Sequence, residues 1–299
     1  MELGTFSAGH PIPASQPNSR RDPLWLGQPP CRLPASAASP ASGADPGLDH
    51  PIFSESIRLI RAALTQQGFS PAADPVVRDV VERCIHSSGD LGLARELEVP
   101  AAACAAGLAA LAAGAPILTD TAMAAAAVTP MAKRTFANPV HCLLDWAPAK
   151  APAGDTRSAI GLQRAWAELA PKGLAPAGVA PGSSAPLSLA QMSSGPMPLA
   201  PVILIGSAPT ALERLLDCLA QRDQAQPQAA PGPSPGPALV IGMPVGFVGV
   251  AESKRRLAAS GLAHIGLRGS KGGAALVAAS CNALLRAAWL QAAGLYLAG

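Results

Sequence analysis

Short apolar runs that alternate with helical segments are the feature that most constrains the fold of this chain. Three such runs, at 202–205, 239–241 and 263–267, each precede a glycine-containing turn and a helical segment. A fourth run, at 117–120, precedes a helix that opens near Thr121. Buried strands separated by helices are typical of a parallel sheet that is covered on both faces. The sequence therefore predicts the α/β class, with a doubly wound, mostly parallel sheet, helices on both faces, and binding at the carboxyl ends of the strands.

The spacing of apolar residues predicts further helices before and between these strands. A first helix opens near Pro51 and ends at Gly68. A second has Asp74 as its N-cap, a proline in its first turn, and an end at Ser88 and Gly89. The remaining predicted elements are a strand at 140–144 and helices at 101–113, 156–169, 211–220, 252–259 and 274–289.

Proline-rich composition sets the predicted domain organisation. Residues 1–49 are rich in proline, serine, alanine and glycine and show neither a helical nor a strand period. We expect them to form a disordered extension. Residues 50–299 are expected to form a single α/β domain, interrupted by two flexible loops at 173–199 and 222–237.

Charge and cysteine usage exclude several classes of function. A net charge of +3 without a basic cluster argues against nucleic acid as a partner. The six cysteines form no C-x-x-C pair, so neither a metal site nor a disulfide framework is expected, and reduced thiols fit a cytoplasmic location. The charge-free stretch 99–118 is interrupted by Pro100 and Pro116, which argues against a membrane span. No long apolar region follows Arg20 and Arg21, so an export signal is not expected either.

Arg83 and His86 form the first candidate site. They stand three residues apart, so on a helix they share one face and can converge on one ligand. An imidazole can transfer a proton near neutral pH, and a guanidinium can bind a carboxylate. The alternative is that His86, near the end of its helix, only interacts with the helix dipole. The spacing alone leaves both interpretations open.

Two further segments carry cations where an anion could bind. Arg268 and Lys271 lie on a loop that leads into a helix N-terminus, although a solvated charged turn would look the same. Arg157 lies in the first turn of a helix, where the dipole disfavours a cation, which suggests a ligand-binding role. The glycines of 242–249 do not match a dinucleotide-binding loop, and for Gly242 close packing of strand and helix is the stronger explanation.

Several segments carry a combined pattern in a fixed order. The run Gly-Met-Pro-Val-Gly-Phe-Val-Gly-Val-Ala-Glu-Ser-Lys at 242–254 is a specific motif. The others are 83–86 with Gly89, 114–118 with Asp120 and Met123, 156–159, 205–212, and 268–273 followed by 282–284. Together they resemble the precorrin-8X methylmutase family, also called precorrin isomerases, of corrin-ring biosynthesis. The resemblance covers about 50–172, 200–221 and 238–290, roughly two-thirds of the chain.

The resemblance implies an isomerase that moves a methyl group from ring carbon 11 to ring carbon 12 of precorrin-8X, giving hydrogenobyrinate, or of its cobalt form, giving cobyrinate. It implies that His86 is the catalytic acid, that Arg83 binds the substrate, and that Ser56 contacts it. It also implies a homodimer and no cofactor, because a rearrangement requires no redox group.

The expected substrate carries several acetate and propionate side chains and is therefore a polyanion. Arg83, Arg157, Arg268 and Lys271 would suit such a ligand better than a neutral one. Whether the substrate contains cobalt stays open, since these side chains would recognise only its periphery.

Two alternatives and two departures accompany this interpretation. The protein could bind a corrinoid intermediate without catalysis, or it could be a nucleotide-binding α/β enzyme, although the sequence has no phosphate loop for the latter. Ser207 stands where an asparagine is expected in the family, and Ala274 where a serine commonly follows the two glycines. Either departure could weaken a polar contact to the substrate.

Overall fold

The computed structural model of the protein describes residues 49–169, 199–225 and 236–295. In chain order, the helices of this part are α1 Pro51–Gln66, α2 Pro75–Ser88, α3 Leu93–Glu96, α4 Ala101–Ala112, α5 Ala122–Arg134, α6 Arg157–Leu169, α7 Pro209–Ala225, α8 Val250–Ala258 and α9 Ala274–Ala292, with a 3₁₀ turn at Leu143–Trp146. The strands are β1 Leu97–Glu98, β2 Ile117–Thr119, β3 Val140–Cys142, β4 Val202–Ile205, β5 Leu239–Gly242 and β6 His264–Leu267.

The strands form one sheet in the order β1-β6-β5-β4-β2-β3. Every neighbouring pair is parallel except β1 and β6, which are antiparallel. The chain steps outward from β2 to β3, then reverses direction through β4, β5 and β6. Because crossovers between parallel strands are right-handed, this reversal moves the connecting helices to the opposite face of the sheet. The prediction of a doubly wound, mostly parallel α/β sheet is confirmed.

Alternate residues of each strand enter two separate cores. Val202 and Leu204 of β4 pack in the core formed with α2, α4, α5 and α9. Ile203 and Ile205 pack in the core formed with α6, α7 and α8. Side chains of a strand point alternately to opposite faces, so a strand buried on both sides is apolar at every position. This double burial explains the continuous apolar runs in the sequence.

The structure differs from the sequence-based prediction at the edges of these elements. Strand β1 was not predicted, because two residues carry no periodic signal. Helix α7 continues to Ala225, five residues beyond its predicted end, since 221–225 contains neither glycine nor proline. The charge-free stretch 99–118 divides between α4 and β2, and within the described ranges no helix is long and apolar enough to cross a membrane.

The predicted extension, 1–49, and the predicted loops, 173–199 and 222–237, lie largely outside the described residues. One residue of the predicted extension, Asp49, lies among the described residues. Asp49 is buried, with a side chain only 7% exposed, because two arginines bind its carboxylate. These ion pairs join Asp49, two residues before α1, to α2 and α9.

Candidate active site

His86 lies on the last turn of α2 and is exposed. The helix begins where the Asp74 carboxylate accepts hydrogen bonds from the backbone N–H groups of Val76 and Val77. It ends at Gly89, which adopts the left-handed conformation (φ 71°) that a side chain would disfavour. The capped helix thus presents the imidazole at its exposed end.

Ser56 on α1 meets this imidazole directly. Its Oγ lies 2.7 Å from His86 Nδ1, so the structure brings these two predicted residues into hydrogen-bond contact. His86 also lies at a helix C-terminus, where the helix dipole stabilises a positive charge on the ring. The serine nevertheless gives the ring a second partner that a simple dipole interaction does not require.

Phe53 on α1 is a second neighbour of the imidazole, and no local pattern in the sequence indicated it. Its ring lies edge-on to the His86 ring, with centroids 5.0 Å apart. The Arg83 guanidinium lies over the Phe53 ring, 4.1 Å from its centroid. Phe53 and Ser56 stand three apart, so the first turns of α1 contact the imidazole on two sides.

Arg83 takes part in a buried network of four charges. Its Nη2 lies 3.3 Å from Asp49 Oδ1, and its side chain is only 12% exposed. Arg286 of α9 donates from Nε to Asp49 Oδ2 at 2.6 Å and from Nη1 to Asp79 Oδ2 at 3.2 Å. Burial lowers the pKa of the Arg83 guanidinium and raises that of the Asp79 carboxyl. The network joins α2 and α9 to the residue that precedes α1.

This network changes the interpretation of Arg83. The guanidinium lies on the same side of α2 as the imidazole, as the spacing predicted, but its charge is balanced by Asp49 and packed against Phe53. Its Nε is buried and has no hydrogen-bond partner among the described residues. The geometry favours a role in holding α1 in place over direct contact with a substrate.

Lys271 connects the loop before α9 to the segment after α2. Its Nζ lies 2.9 Å from Asp90 Oδ2 and 2.9 Å from Glu96 Oε1. These partners, Glu96 first, raise the pKa of Lys271, and the ammonium lowers the pKa of the Asp90 carboxyl. Because Asp90 is four residues beyond His86, the cationic loop lies beside the end of the helix that carries the imidazole.

Arg268 and Arg157 are both exposed but lie apart in the described contacts. Arg268 lies on the same loop as Lys271, and its Nη2 donates to the carbonyl of Arg95 at 2.5 Å. Arg157 begins α6 and donates from Nε to the carbonyl of Pro148 at 2.9 Å. The structure therefore groups Arg268 with Lys271 and the end of α2, whereas Arg157 bonds to another loop.

Lys254, the last residue of the 242–254 motif, is buried on α8 with 8% exposure. Its Nζ donates to the carbonyls of Gly269 at 2.8 Å and Lys271 at 2.5 Å. Burial lowers its pKa to about 8. The sequence alone assigned this lysine no separate role. In the structure its ammonium binds the backbone of the 268–273 loop, which carries Arg268 and Lys271.

Asp120 is a second residue to which the sequence assigned no role. It follows β2 and is completely buried. Its Oδ2 accepts hydrogen bonds from the backbone N–H of Ser207 at 2.6 Å and from that of Ala208 at 2.9 Å. Burial raises the pKa of this carboxyl. Because the donor at position 207 is the backbone N–H, this hydrogen bond can form with either serine or asparagine at that position.

Glycines let the loops at the carboxyl ends of the strands approach one another. A Cβ on Gly206 would lie 2.7 Å from the backbone of Gly273, and one on Gly272 would overlap the carbonyl oxygen of Met243. A Cβ on Gly242 would overlap the Leu257 side chain of α8, as the close-packing interpretation predicted. Backbone segments thus lie against each other where side chains would separate them.

Comparison with known proteins identifies the family of this chain. The family model for precorrin-8X methylmutase matches residues 51–287. The chain belongs to this family. It is 37% identical over 238 residues to the precorrin-8X methylmutase of Pseudomonas aeruginosa, covering 78% of this chain and 93% of the relative. It is 30% identical over 258 residues to the cobalt-precorrin-8 methylmutase of Synechocystis sp., covering 82% and 98%.

A solved structure of the family has the same fold. The precorrin-8X methylmutase of Thermus thermophilus superposes with a TM-score of 0.58 at 30% sequence identity, covering 83% of this chain and 100% of that one. The family resemblance and the α/β fold predicted from the sequence are therefore both confirmed.

The other groups considered for chemistry are the cysteine thiols and clusters of metal-binding side chains. The cysteines in the described part are free and buried, and burial raises the pKa of Cys84 to about 11. Across 49–169, 199–225 and 236–295, no group of three or more His, Cys, Asp or Glu side chains could hold a metal ion. The exposed imidazole of His86, in contact with Ser56, is a group of this site that can transfer a proton.

Proposed function

We propose that this protein is an isomerase of cobalamin biosynthesis that moves a methyl group from ring carbon 11 to ring carbon 12 of precorrin-8X or its cobalt form. The observation that carries the proposal is the exposed imidazole of His86, 2.7 Å from Ser56 Oγ, in a chain that belongs to the methylmutase family. The bond from carbon 11 to the methyl group breaks and the bond to carbon 12 forms. No atoms are gained or lost in the net reaction.

His86 is proposed as the acid for this step. As the acid, the ring is an imidazolium, whose Nδ1–H donates to Ser56 Oγ and whose Nε2–H remains available to the substrate. Donation of the Nε2 proton to the conjugated macrocycle would lower the cost of redistributing charge in the transition state. The neutral ring then takes a proton back from the rearranged macrocycle, so no proton is gained or lost overall. Ser56 orients the ring, and Phe53 limits its rotation.

The exposed cations are proposed to bind the carboxylates of the macrocycle. Arg268 and Lys271 lie next to the end of α2, and Arg157 would contribute from the start of α6. Lys271 already has two carboxylate partners, so a substrate carboxylate would exchange with Asp90 or Glu96. Such exchange is feasible because exposed ion pairs contribute little free energy. Arg83 would act mainly through the position of α1.

The enzyme is further proposed to act as a homodimer in the cytoplasm. It needs no resident cofactor in this scheme, since cobalt, when present, belongs to the substrate. Support for the homodimer comes from the family resemblance, and support for the cytoplasm comes from the reduced, buried cysteines.

The decisive experiment is an absorbance time course of the purified protein with metal-free precorrin-8X, because methyl migration changes the conjugation of the ring. We expect the spectrum of hydrogenobyrinate at catalytic protein concentration. His86→Ala should keep the fold and substrate binding but lower kcat by about a hundredfold or more. The matched control is His264→Ala, whose imidazole bonds only to the nearby Leu262 carbonyl.

Other outcomes separate the alternatives. A bound but unchanged spectrum, with metal-free and cobalt substrates alike, would favour a binding protein without catalysis. Conversion of the cobalt form alone would identify the metallated substrate. Normal turnover of His86→Ala would remove this residue from the acid role.

A further inference from the structure

The turn between β5 and α8 carries a group of exposed apolar side chains. Val245 is 46% exposed, Phe247 93% and Val248 89%. Phe247 is the most exposed of the large apolar side chains in the described part of the chain. Large apolar groups clustered at the surface mark interaction sites more often than those scattered singly. We refer to residues 245–248 as the apolar turn.

Backbone hydrogen bonds hold this turn against the cationic loop. The N–H of Gly246 donates to the carbonyl of Ser270 at 3.0 Å, and the N–H of Gly273 donates to the carbonyl of Met243 at 3.0 Å. Gly246 (φ 134°) and Gly249 (φ 70°) both adopt conformations that L-residues rarely reach. The turn therefore projects its side chains outward while its backbone stays attached to the 268–273 loop.

The neighbourhood of the turn combines three kinds of chemistry at one edge of the sheet. The 268–273 loop brings the exposed cations Arg268 and Lys271 next to the apolar turn. Lys271 in turn contacts Asp90, four residues beyond His86. Direct contacts thus join the apolar turn to the cationic loop, and Lys271 joins that loop to the segment that follows His86.

We propose that the apolar turn, with Phe247 at its tip, is the surface on which the flat conjugated face of the tetrapyrrole rests. This inference rests on the proposed function. A macrocycle with a carboxylate rim needs an apolar platform bordered by cations, and the turn and the 268–273 loop supply both. A neutral apolar partner would make no use of the two exposed cations beside the turn, whereas a carboxylate rim could bind to them.

The test is Phe247→Ala, measured both by steady-state kinetics and by equilibrium dialysis of the product, hydrogenobyrinate. We expect the KM and the product Kd to rise roughly tenfold while kcat changes less than about twofold, because stacking stabilises substrate and transition state alike. Phe247→Trp should keep the wild-type constants. The matched control is Leu199→Ala, which removes an exposed apolar side chain (41%) near the opposite, amino-terminal end of β4.

Removal of so exposed a side chain should leave the unfolding midpoint unchanged, so a folding defect cannot mimic the effect. Unchanged KM and Kd in an active Phe247→Ala enzyme would overturn the proposal and leave the isomerase assignment intact. A change of sedimentation mass in Phe247→Ala would also overturn it, because the turn would then be an interface between copies of the chain. An inactive wild type that still binds product through Phe247 would count against the proposed reaction alone.

Discussion

Two charged regions flank His86, and they differ in how far water reaches them. In the buried junction, formed by Asp49, Asp79, Arg83 and Arg286, the side chains are 7–22% exposed. In the exposed junction, where Lys271 meets Asp90 and Glu96, they are 34–46% exposed. Removing one partner of a buried pair leaves an uncompensated charge, whereas exposed pairs contribute about 0–1 kcal/mol.

This difference assigns different tasks to similar residues. A buried arginine that is already balanced cannot readily turn toward a ligand, so Arg83 and Arg286 are better suited to holding Asp49 and the start of α1 in place. An exposed lysine can exchange one carboxylate for another at little cost, so Lys271 is suited to a substrate carboxylate. Residue type alone does not distinguish the two tasks.

The largest effect is expected at the buried junction. Asp49→Asn removes the carboxylate that balances Arg83 and Arg286, and should lower the free energy of unfolding by about 3 kcal/mol. Because α1 carries Ser56, kcat should also fall while KM changes little. Urea unfolding and steady-state kinetics measure both. The matched control is Glu55→Gln, which breaks the exposed pair with Arg58 on the same helix. Equal effects of the two variants would refute the comparison.

A pH-dependent effect is expected at Lys254, below the exposed junction. Burial lowers its pKa in the folded state to about 8, against an ordinary value of 10.5. Between these values the unfolded chain binds more protons than the folded one, so the stability of the wild type should rise with pH. Urea unfolding from pH 7.5 to 10.5 should show this rise relative to Lys254→Met, in which the position does not titrate.

The same series reports on the loop that Lys254 supports. The carbonyls of Gly269 and Lys271 accept hydrogen bonds from Nζ and oppose the effect of burial, as does the nearby charge of Glu96. A flat difference between wild type and Lys254→Met would mean that these acceptors fully compensate burial.

The smallest effect on stability is expected at the exposed junction. Lys271→Met should leave the free energy of unfolding nearly unchanged, because its partners remain solvated. Its effect should instead appear in the KM for the polycarboxylate substrate, which should rise several-fold and depend on ionic strength. Lys271→Arg is the conservative control. A loss of stability as large as that of Asp49→Asn would show that Lys271 is structural.

Much of the site was predictable because its signals are local. The spacing of Arg83 and His86 predicted that one helix presents both, and the glycine at 89 predicted the end of that helix. The loop carrying Arg268 and Lys271 leads into α9 as expected. The contact between Ser56 and His86 was not predicted, since the family resemblance implied only that Ser56 contacts the substrate, and nothing in the local sequence joins residues on separate helices.

Contacts between residues that are distant in sequence could not be predicted from such local signals. Asp49 and Arg286 are separated by 237 positions, and Asp49 was assigned to the extension because its neighbours are proline-rich. Their pairing requires α9 to pack on α2, which no local pattern encodes. Asp120 likewise accepts hydrogen bonds from backbone N–H groups of another loop, and Lys254 donates to backbone carbonyls. Backbone groups are the same in every residue other than proline, so residue identity does not reveal these partners.

The sequence by itself determined the α/β class, the order of most elements, and the imidazole at an exposed helix end, because periodicity and helix capping act over a few residues. Only the tertiary structure decided which charges are buried and which can meet a ligand. Exposure depends on what packs over a side chain, and long-range packing placed Arg83 beneath α1 while it left Lys271 and Phe247 at the surface.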